Sequence, residues 1–330
     1  MNIICIPLKL YLAQCGLFTF FLRYVTMRIM EQQKDNFTLA FIFMIFSSLG
    51  FAAMGLFVNL TGPIPAIQKV FFRNIVVFCV SLVFLFYQLD RREIANQFKN
   101  NRNLAFLLLR TVLGTLAIVG NFYAASNMPI ASASVLNKIS PFFTVIFSAL
   151  FLKEEITATQ LLCILLAFFG VACIAQPGAD TFNYIRPFMS GTLGGISAGA
   201  AYTCVHYLTG RKMHPAFLVC VFHGLSTLLI LPLMLINFKP MTTYQLLMIF
   251  ATGCSAFVGQ YGLTLAYKFS TPSKISIFDY STVVFSIIFG IVFLSQVPGF
   301  LSVIGMCIVF VAFLVMFLTN RKKETNETKR

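Results

Sequence analysis

This chain has no tryptophan, only ten acidic residues, and nine cysteines that never fall into a C-x-x-C pair. Unpaired cysteines lying mostly inside apolar runs (Cys79, Cys163, Cys173, Cys204, Cys220, Cys254, Cys307) exclude a zinc ribbon or a disulfide framework and read as small buried hydrophobes. No pair of His, Cys or acidic residues has metal-ligand spacing, so no metal and no cofactor is expected. A G-x-x-x-x-G-K-[ST] loop is also missing, which argues against ATP-driven work by this chain alone. Charge of either sign is scarce: 10% of residues, too few to clothe the cores of a soluble 330-residue protein. A membrane enzyme acting on lipid or a sugar carrier would need clustered acids or histidines in its loops, and the notable loop acids are only Glu154, Glu155 and Asp180. No catalytic residue stands out.

What remains is apolar length. Hydrophobic residues make up 58% of the chain and the mean hydropathy is +0.87. Ten stretches, near 39–58, 66–88, 102–122, 129–151, 158–175, 188–209, 216–236, 243–267, 272–294 and 300–319, have the roughly 20 residues that a helix needs to cross a ~30 Å hydrocarbon core. The expected fold class is all-α integral membrane. The net charge of +14 does not point to nucleic acid, because the basic residues alternate between breaks. Arg28 and Lys34, then Arg91, Arg92, Lys99 and Arg102, then Lys153, then Arg211 and Lys212, then Lys268, then the tail from Arg321 to Arg330 all fall on one side. Only Lys69, Arg186 and Lys239 fall on the other. The positive-inside rule places both termini in the cytoplasm of a cell-membrane protein, provided the leader does not span. That leader, residues 1–36, reads as an eleventh span, a signal-like segment or an upstream extension before a start at Met27 or Met30. The polar run Met30-Glu31-Gln32-Gln33-Lys34 favours the extension.

The chain repeats itself. Residues 110–154 shifted by 142 positions lie on 252–296 without a gap, with identities at Gly120/Gly262, Ala124/Ala266, Ser134/Ser276, Phe143/Phe285, Ile146/Ile288, Phe147/Phe289, Phe151/Phe293 and Leu152/Leu294. The repeat unit therefore holds five helices. Five is odd, so the second copy, 186–320, enters the bilayer from the side opposite to the first, 37–178, leaving 321–330 as a basic cytoplasmic tail. Inverted repeats of this kind are frequent in secondary transporters.

Several of these residues also form a recognisable pattern: Arg110-Thr-Val-Leu-Gly114, Asn121-Phe-Tyr-Ala124, Met128-Pro129-Ile-Ala131, Ser140-Pro141-Phe142 and Phe151-Leu152-Lys153-Glu154, with Phe278-Asp279-Tyr280 and Phe293-Leu294-Ser295-Gln296 in the second half. Over about residues 37–320 the chain resembles the drug/metabolite transporter superfamily, ten-helix proteins with two EamA-type repeats. It departs from the pattern at Gln296, where the second repeat usually ends in an acid like Glu154. The resemblance implies solute transport and leaves the substrate open. The expected partners are a small-molecule metabolite, the bilayer, a coupling proton or sodium ion and, as one option, a second copy in a homodimer.

Ionisable groups inside spans cost about 2.5–3.5 kcal/mol each on insertion scales and so mark function. They are Arg73, Arg110, Lys138, His206, His223 and Asp279. Under the repeat, Asn137 and Lys138 lie opposite Asp279 and Tyr280, a polar pair at matching depth in each half. Arg73, Arg110, Asn137, Lys138, Asp279 and Tyr280 are the candidate substrate-binding residues. The bland alternatives are snorkelling for Arg73 and a fixed ion pair between Lys138 and Asp279. Asp279 and His223 are candidates for proton coupling, His223 being as readily a hydrogen-bonded packing residue. The cations outnumber the acid, which favours a small polar metabolite with an anionic group. The rival is a proton-coupled exporter of cationic compounds that uses Asp279. Asn121, Tyr123, Tyr202, Gln260 and Tyr261 are polar enough to line a path. Gly191, Gly195 and Gly199 place small residues at every fourth position, a helix-packing face. Pro141 is expected to break the fourth helix internally.

Overall fold

The computed structural model describes residues 36–127, 136–175, 184–236, 238–294 and 299–328. The leader assigned to residues 1–36, the Met128-to-Val135 part of the motif, Asp180 and Gln296 lie outside these, apart from Asn36. Among the described residues the regular structure is all helical. In chain order it comprises α1 (Phe37–Leu60), α2 (Ala66–Gln88), α3 (Arg91–Gln97), α4 (Asn101–Asn127), α5 (Ser140–Leu152), α6 (Ala158–Ala175), α7 (Ile185–Gly210), α8 (Pro215–Ile236), α9 (Thr243–Phe269), α10 (Pro272–Ile275), a 3₁₀ turn (Ser276–Tyr280), α11 (Ser281–Leu294) and α12 (Phe300–Thr328).

Among the described residues, seven stretches of 21–27 residues are long and apolar enough to cross a membrane, carried by α1, α2, α4, α8, α9, the α10–α11 unit and α12. The expectation of ten spans is met in that form for seven; residues 129–135 of the fourth expected span lie outside the described residues. α5 and α6 are apolar but shorter. α7 is long, but its Gly191, Gly194, Gly195 and Gly199 and its Ser, Thr and Tyr residues lower its apolar content. Pro141 sits in the first turn of α5, where its missing N–H costs nothing, rather than breaking a longer helix. α12 runs on through Thr328, so most of the basic tail is a helical extension. A seven-residue helix, α3, occupies the first basic break, and Glu93 closes its N-terminus by accepting from Asp90 N at 2.8 Å.

Capping residues set the ends of the long helices. Asn36 Oδ1 accepts from Leu39 N at 2.9 Å, and Thr242 with Gln245 forms a reciprocal capping box on α9. The exterior is apolar, with Val83, Phe151, Ile236 and Phe300 exposed, whereas Arg110, Asn74, His223, Ser47 and Thr264 are buried. That inversion of soluble-protein polarity suits a lipid solvent.

The helix pairing has an internal symmetry. α1 lies along α9 and α4 along α7; α2 pairs with α8 and α6 with α12; α5 packs on α7 and α11 on α1. Exchanging the set α1, α2, α4, α5, α6 with α7, α8, α9, α10–α11, α12 maps these pairs onto themselves. Small residues permit the closest contacts. Cβ atoms added at Gly191, Gly195 and Gly199 would run into Leu136 and Ala124, into Leu136 O, and into Phe143 and Thr144 N respectively.

Candidate functional site

The symmetry brings two helix interruptions together at the centre. Leu136 and Asn137 are helical, Lys138 and Ile139 form a turn, and α5 begins at Ser140. In the second half the 3₁₀ turn Ser276–Tyr280 separates α10 from α11. Irregular backbone within apolar spans is tolerated where it borders a protein-lined cavity. Here Lys138 Nζ donates to Asp279 Oδ2 at 3.0 Å and to Asp279 O at 3.2 Å. Thr282 Oγ1 holds the same carbonyl at 2.7 Å. The lysine therefore neutralises the acid and also satisfies a carbonyl that the interruption frees.

Around this pair lies a cavity of about 360 Å³ whose wall comes from α1, α2, α4, α5, α7, α8, α9 and α11, with none from α6 or α12. Arg73, Arg110, Asn137, Lys138 and Asp279 all line it, as do Asn121, Tyr202 and Gln260. Asn121 Nδ2 donates to Asn137 Oδ1 at 3.2 Å, which ties α4 to the first interruption. A second, larger cavity of about 750 Å³ lies among α1, α11 and α12, but its wall is almost wholly apolar and offers no handle to a polar solute.

The arginines occupy the cavity without a carboxylate among the described residues. Arg110, 1% exposed, stacks its guanidinium over the Phe222 ring at 3.8 Å. Gly114 makes that possible, since a Cβ there would overlap Arg110 Nη1 and the Phe222 edge. Among the described residues Arg73 donates only to Asn74 Oδ1, at 3.5 Å. Asn74 is fixed in turn, accepting from His223 Nδ1 at 3.2 Å and donating to Ser226 Oγ at 3.1 Å; Thr115 Oγ1 donates to that hydroxyl at 3.0 Å. Of this buried relay behind the arginines the sequence singles out only His223; Asn74, Ser226, Thr115 and Phe222 escape it. Phe222 is one of 39 phenylalanines, and the others are hydroxyl and amide residues with no distinctive spacing.

Two candidates lie elsewhere. Tyr280 is buried beside the cavity but not in its wall, because a 3₁₀ turn advances about 120° per residue and sends Tyr280 away from the face that carries Asp279. His223 likewise sits behind the wall, held by Asn74. Among the path candidates, Tyr261 bonds Gln88 Oε1 at 3.1 Å and Tyr123 is exposed on the outside. His206, near one end of the bundle, contacts Glu154 Oε1 through Nε2 at 2.8 Å and Tyr267 O through Nδ1 at 2.6 Å.

The profile of the EamA-like transporter family matches residues 38–176 and again 188–318. The chain belongs to the EamA-like transporter family. This EamA-like protein is a multi-pass membrane protein, and several of its curated relatives are named as exporters, transporters or solute carriers. It is 30% identical over 279 residues to the pseudopaline exporter CntI of Pseudomonas aeruginosa, covering 84% of this chain and 95% of that one. It is 26% identical over 288 residues to an uncharacterized transporter of Helicobacter pylori, covering 85% and 95%. It is 28% identical over 285 residues to human solute carrier family 35 member G1, covering 82% and 77%. A crystal structure of another protein superposes with a TM-score of 0.74 at 15% identity over 88% of this chain and 100% of that one, which speaks to the fold.

Proposed function

We propose that this protein is a secondary active transporter that moves a small polar metabolite bearing an anionic group across the cytoplasmic membrane by alternating access. Its ten spans form two inverted five-helix repeats, 37–178 and 186–320, with the termini cytoplasmic. The helix pairing that maps onto itself supports this arrangement. Two like halves related by an in-plane axis can exchange conformations, and each exchange exposes the central cavity to the other side.

The observation that carries the choice of substrate is the state of the four charges lining that cavity. Lys138 and Asp279 are bound to each other, while Arg73 and Arg110 have no carboxylate partner among the described residues. Arg73, Arg110, Asn137, Lys138 and Asp279 form the binding site in this reading. A planar guanidinium suits a carboxylate or phosphate because it offers two parallel donors. A relative named as an exporter is in keeping with solute transport. A cation-exporter reading built on Asp279 is the weaker one, because its carboxylate is already engaged by Lys138 and a cationic solute would have to enter beside two arginines. Counterflow in proteoliposomes, screened over amino acids and organic acids, tests the proposal. Saturable exchange of acidic solutes is expected, and exchange confined to hydrophobic cations would overturn it.

A further inference from the structure

The charges and hydrogen-bonding atoms of the cavity specify more than an anion. With Lys138 and Asp279 cancelling each other, the wall carries two uncompensated positive charges, Arg73 from α2 and Arg110 from α4. Both residues are nine-tenths or more buried, so bulk water screens them weakly. A monoanion would compensate one of them and leave the other stranded in low dielectric, where an unpaired charge is costly.

The inventory of hydrogen-bonding atoms points the same way. Arg73 Nε, Arg110 Nε and Gln260 Nε2 are buried donors with no partner, against one buried unpartnered acceptor in the same wall, Asn121 Oδ1. The wall residues thus hold more spare donor than acceptor capacity, which favours a solute rich in oxygens that only accept. Geometry adds pre-organisation. Phe222 and Gly114 hold the Arg110 fork flat, and the Asn74 side chain beside Arg73 is locked by His223 and Ser226. The cavity has room for a small metabolite, its 360 Å³ equalling the share of about a dozen waters at ~30 Å³ each.

We infer that the transported solute is a dianion, its two negative charges received by Arg73 and Arg110 and a further oxygen by Gln260. This rests on the anion-transporter reading above and deepens it. Gln260 belongs to α9 whereas the arginines lie on α2 and α4, so a solute bound in this way joins helices of both halves. Two carboxylates or one phosphate monoester would supply the same chemistry.

The test uses the purified full chain in detergent at constant ionic strength, with succinate, glycerol 3-phosphate, lactate and choline as probes. Succinate or glycerol 3-phosphate should raise the melting temperature in a saturable way, and which of them does so tells dicarboxylate from phosphate monoester. Lactate and choline should not. Arg73→Gln and Arg110→Gln should each weaken the dianion at least tenfold and bring its affinity down to that of lactate, and Arg110→Lys should fail to restore it. Stabilisation by lactate equal to that by the dianions, no response to either dianion, or undiminished binding by both Gln variants would overturn the inference. If a variant does not fold, the probe series on the unaltered chain decides. Counterflow separates the two levels: lactate exchanging as well as succinate defeats the dianion alone, whereas cations exchanging in place of anions defeats the transporter reading beneath it.

Discussion

Arg73 and Arg110 are expensive where they stand. Bringing an unpaired cation out of water costs several kcal/mol even after relaxation, and the stacking of Arg110 on Phe222 returns only about 2 kcal/mol. A group that lowers the stability of the empty protein yet sits in the cavity wall is there for binding, since proteins trade stability for function at such positions. The consequence is measurable without any solute. Arg73→Met or Arg110→Met, which keep the aliphatic bulk and remove the charge, should raise the melting temperature of the empty protein, by roughly 1–2 °C for each kcal/mol recovered. They should at the same time abolish stabilisation by acidic solutes. A fall in melting temperature would mean that the arginines hold the fold together, as does the Lys138–Asp279 pair, whose disruption from either side leaves a lone buried charge.

At the scale of elements, the ends of the helices carry the titratable contacts. The His206 ring lies between two acceptors, the Tyr267 carbonyl and the Glu154 carboxyl. Nδ1–H must donate to the carbonyl, so the Nε2–Oε1 contact needs a proton of its own, whether it sits on the ring or on the acid. This joins the end of α5 to α7 and α9. Glu154→Leu should lower stability by about 1–3 kcal/mol, while Glu154→Gln, which can donate an amide N–H to Nε2, should retain most of it; equal losses in thermal unfolding would show that the contact contributes only through packing. His214 does a different job just before α8. Its Nδ1 accepts from Ala216 N at 3.3 Å, as an N-cap would, and burial, with Lys268 adding to it, pushes its pKa down to about 4. The unfolded chain binds that proton near pH 6.5, so between about pH 6.5 and 4 the unfolded state holds more protons than the folded one. Stability is then complete above pH 6.5 and declines as pH falls through that window, by at most about 3 kcal/mol. His214→Asn keeps a cap without titrating, and its melting temperature should fall less over the same pH range; parallel curves for the two proteins would remove His214 from the account.

At the scale of the whole molecule, the two halves meet in a cavity because each interrupts one helix at the same position of the repeat. The sequence reveals that much for physical reasons. A charge inside an apolar run costs enough to stand out, so Arg73, Arg110, Lys138 and Asp279 are visible, and the 142-residue shift aligns the two interruptions. Side-chain direction is not visible in that way: Tyr280 follows Asp279 in sequence but leaves its face, and His223, isolated in an apolar run, belongs to the relay of Asn74 and Ser226. Contacts between turns are hidden as well, and these close the bundle at its two ends. At one end Gln68 Nε2 donates to Lys239 O at 2.7 Å, Gln68 Oε1 accepts from Lys239 N at 2.9 Å, and Gln245 Nε2 donates to Thr61 O at 3.3 Å. At the other, His206 and Glu154 are joined by Gln97 Oε1, which accepts from His214 N at 3.1 Å, and by Asn36 N, which donates to Phe269 O at 2.9 Å. A carrier that alternates must break these sets in turn, so weakening one set should bias the cavity toward that side. Ser286, in the cavity wall, offers a reporter as Ser286→Cys in a background without other cysteines. In the orientation proposed above, and with a membrane-impermeant maleimide, Gln68→Leu should increase labelling from the outer face and Glu154→Leu from the cytoplasmic face. Increases from the same face in both variants would mean that these contacts do not gate opposite entrances, and alternating access would then need a different pair of closures.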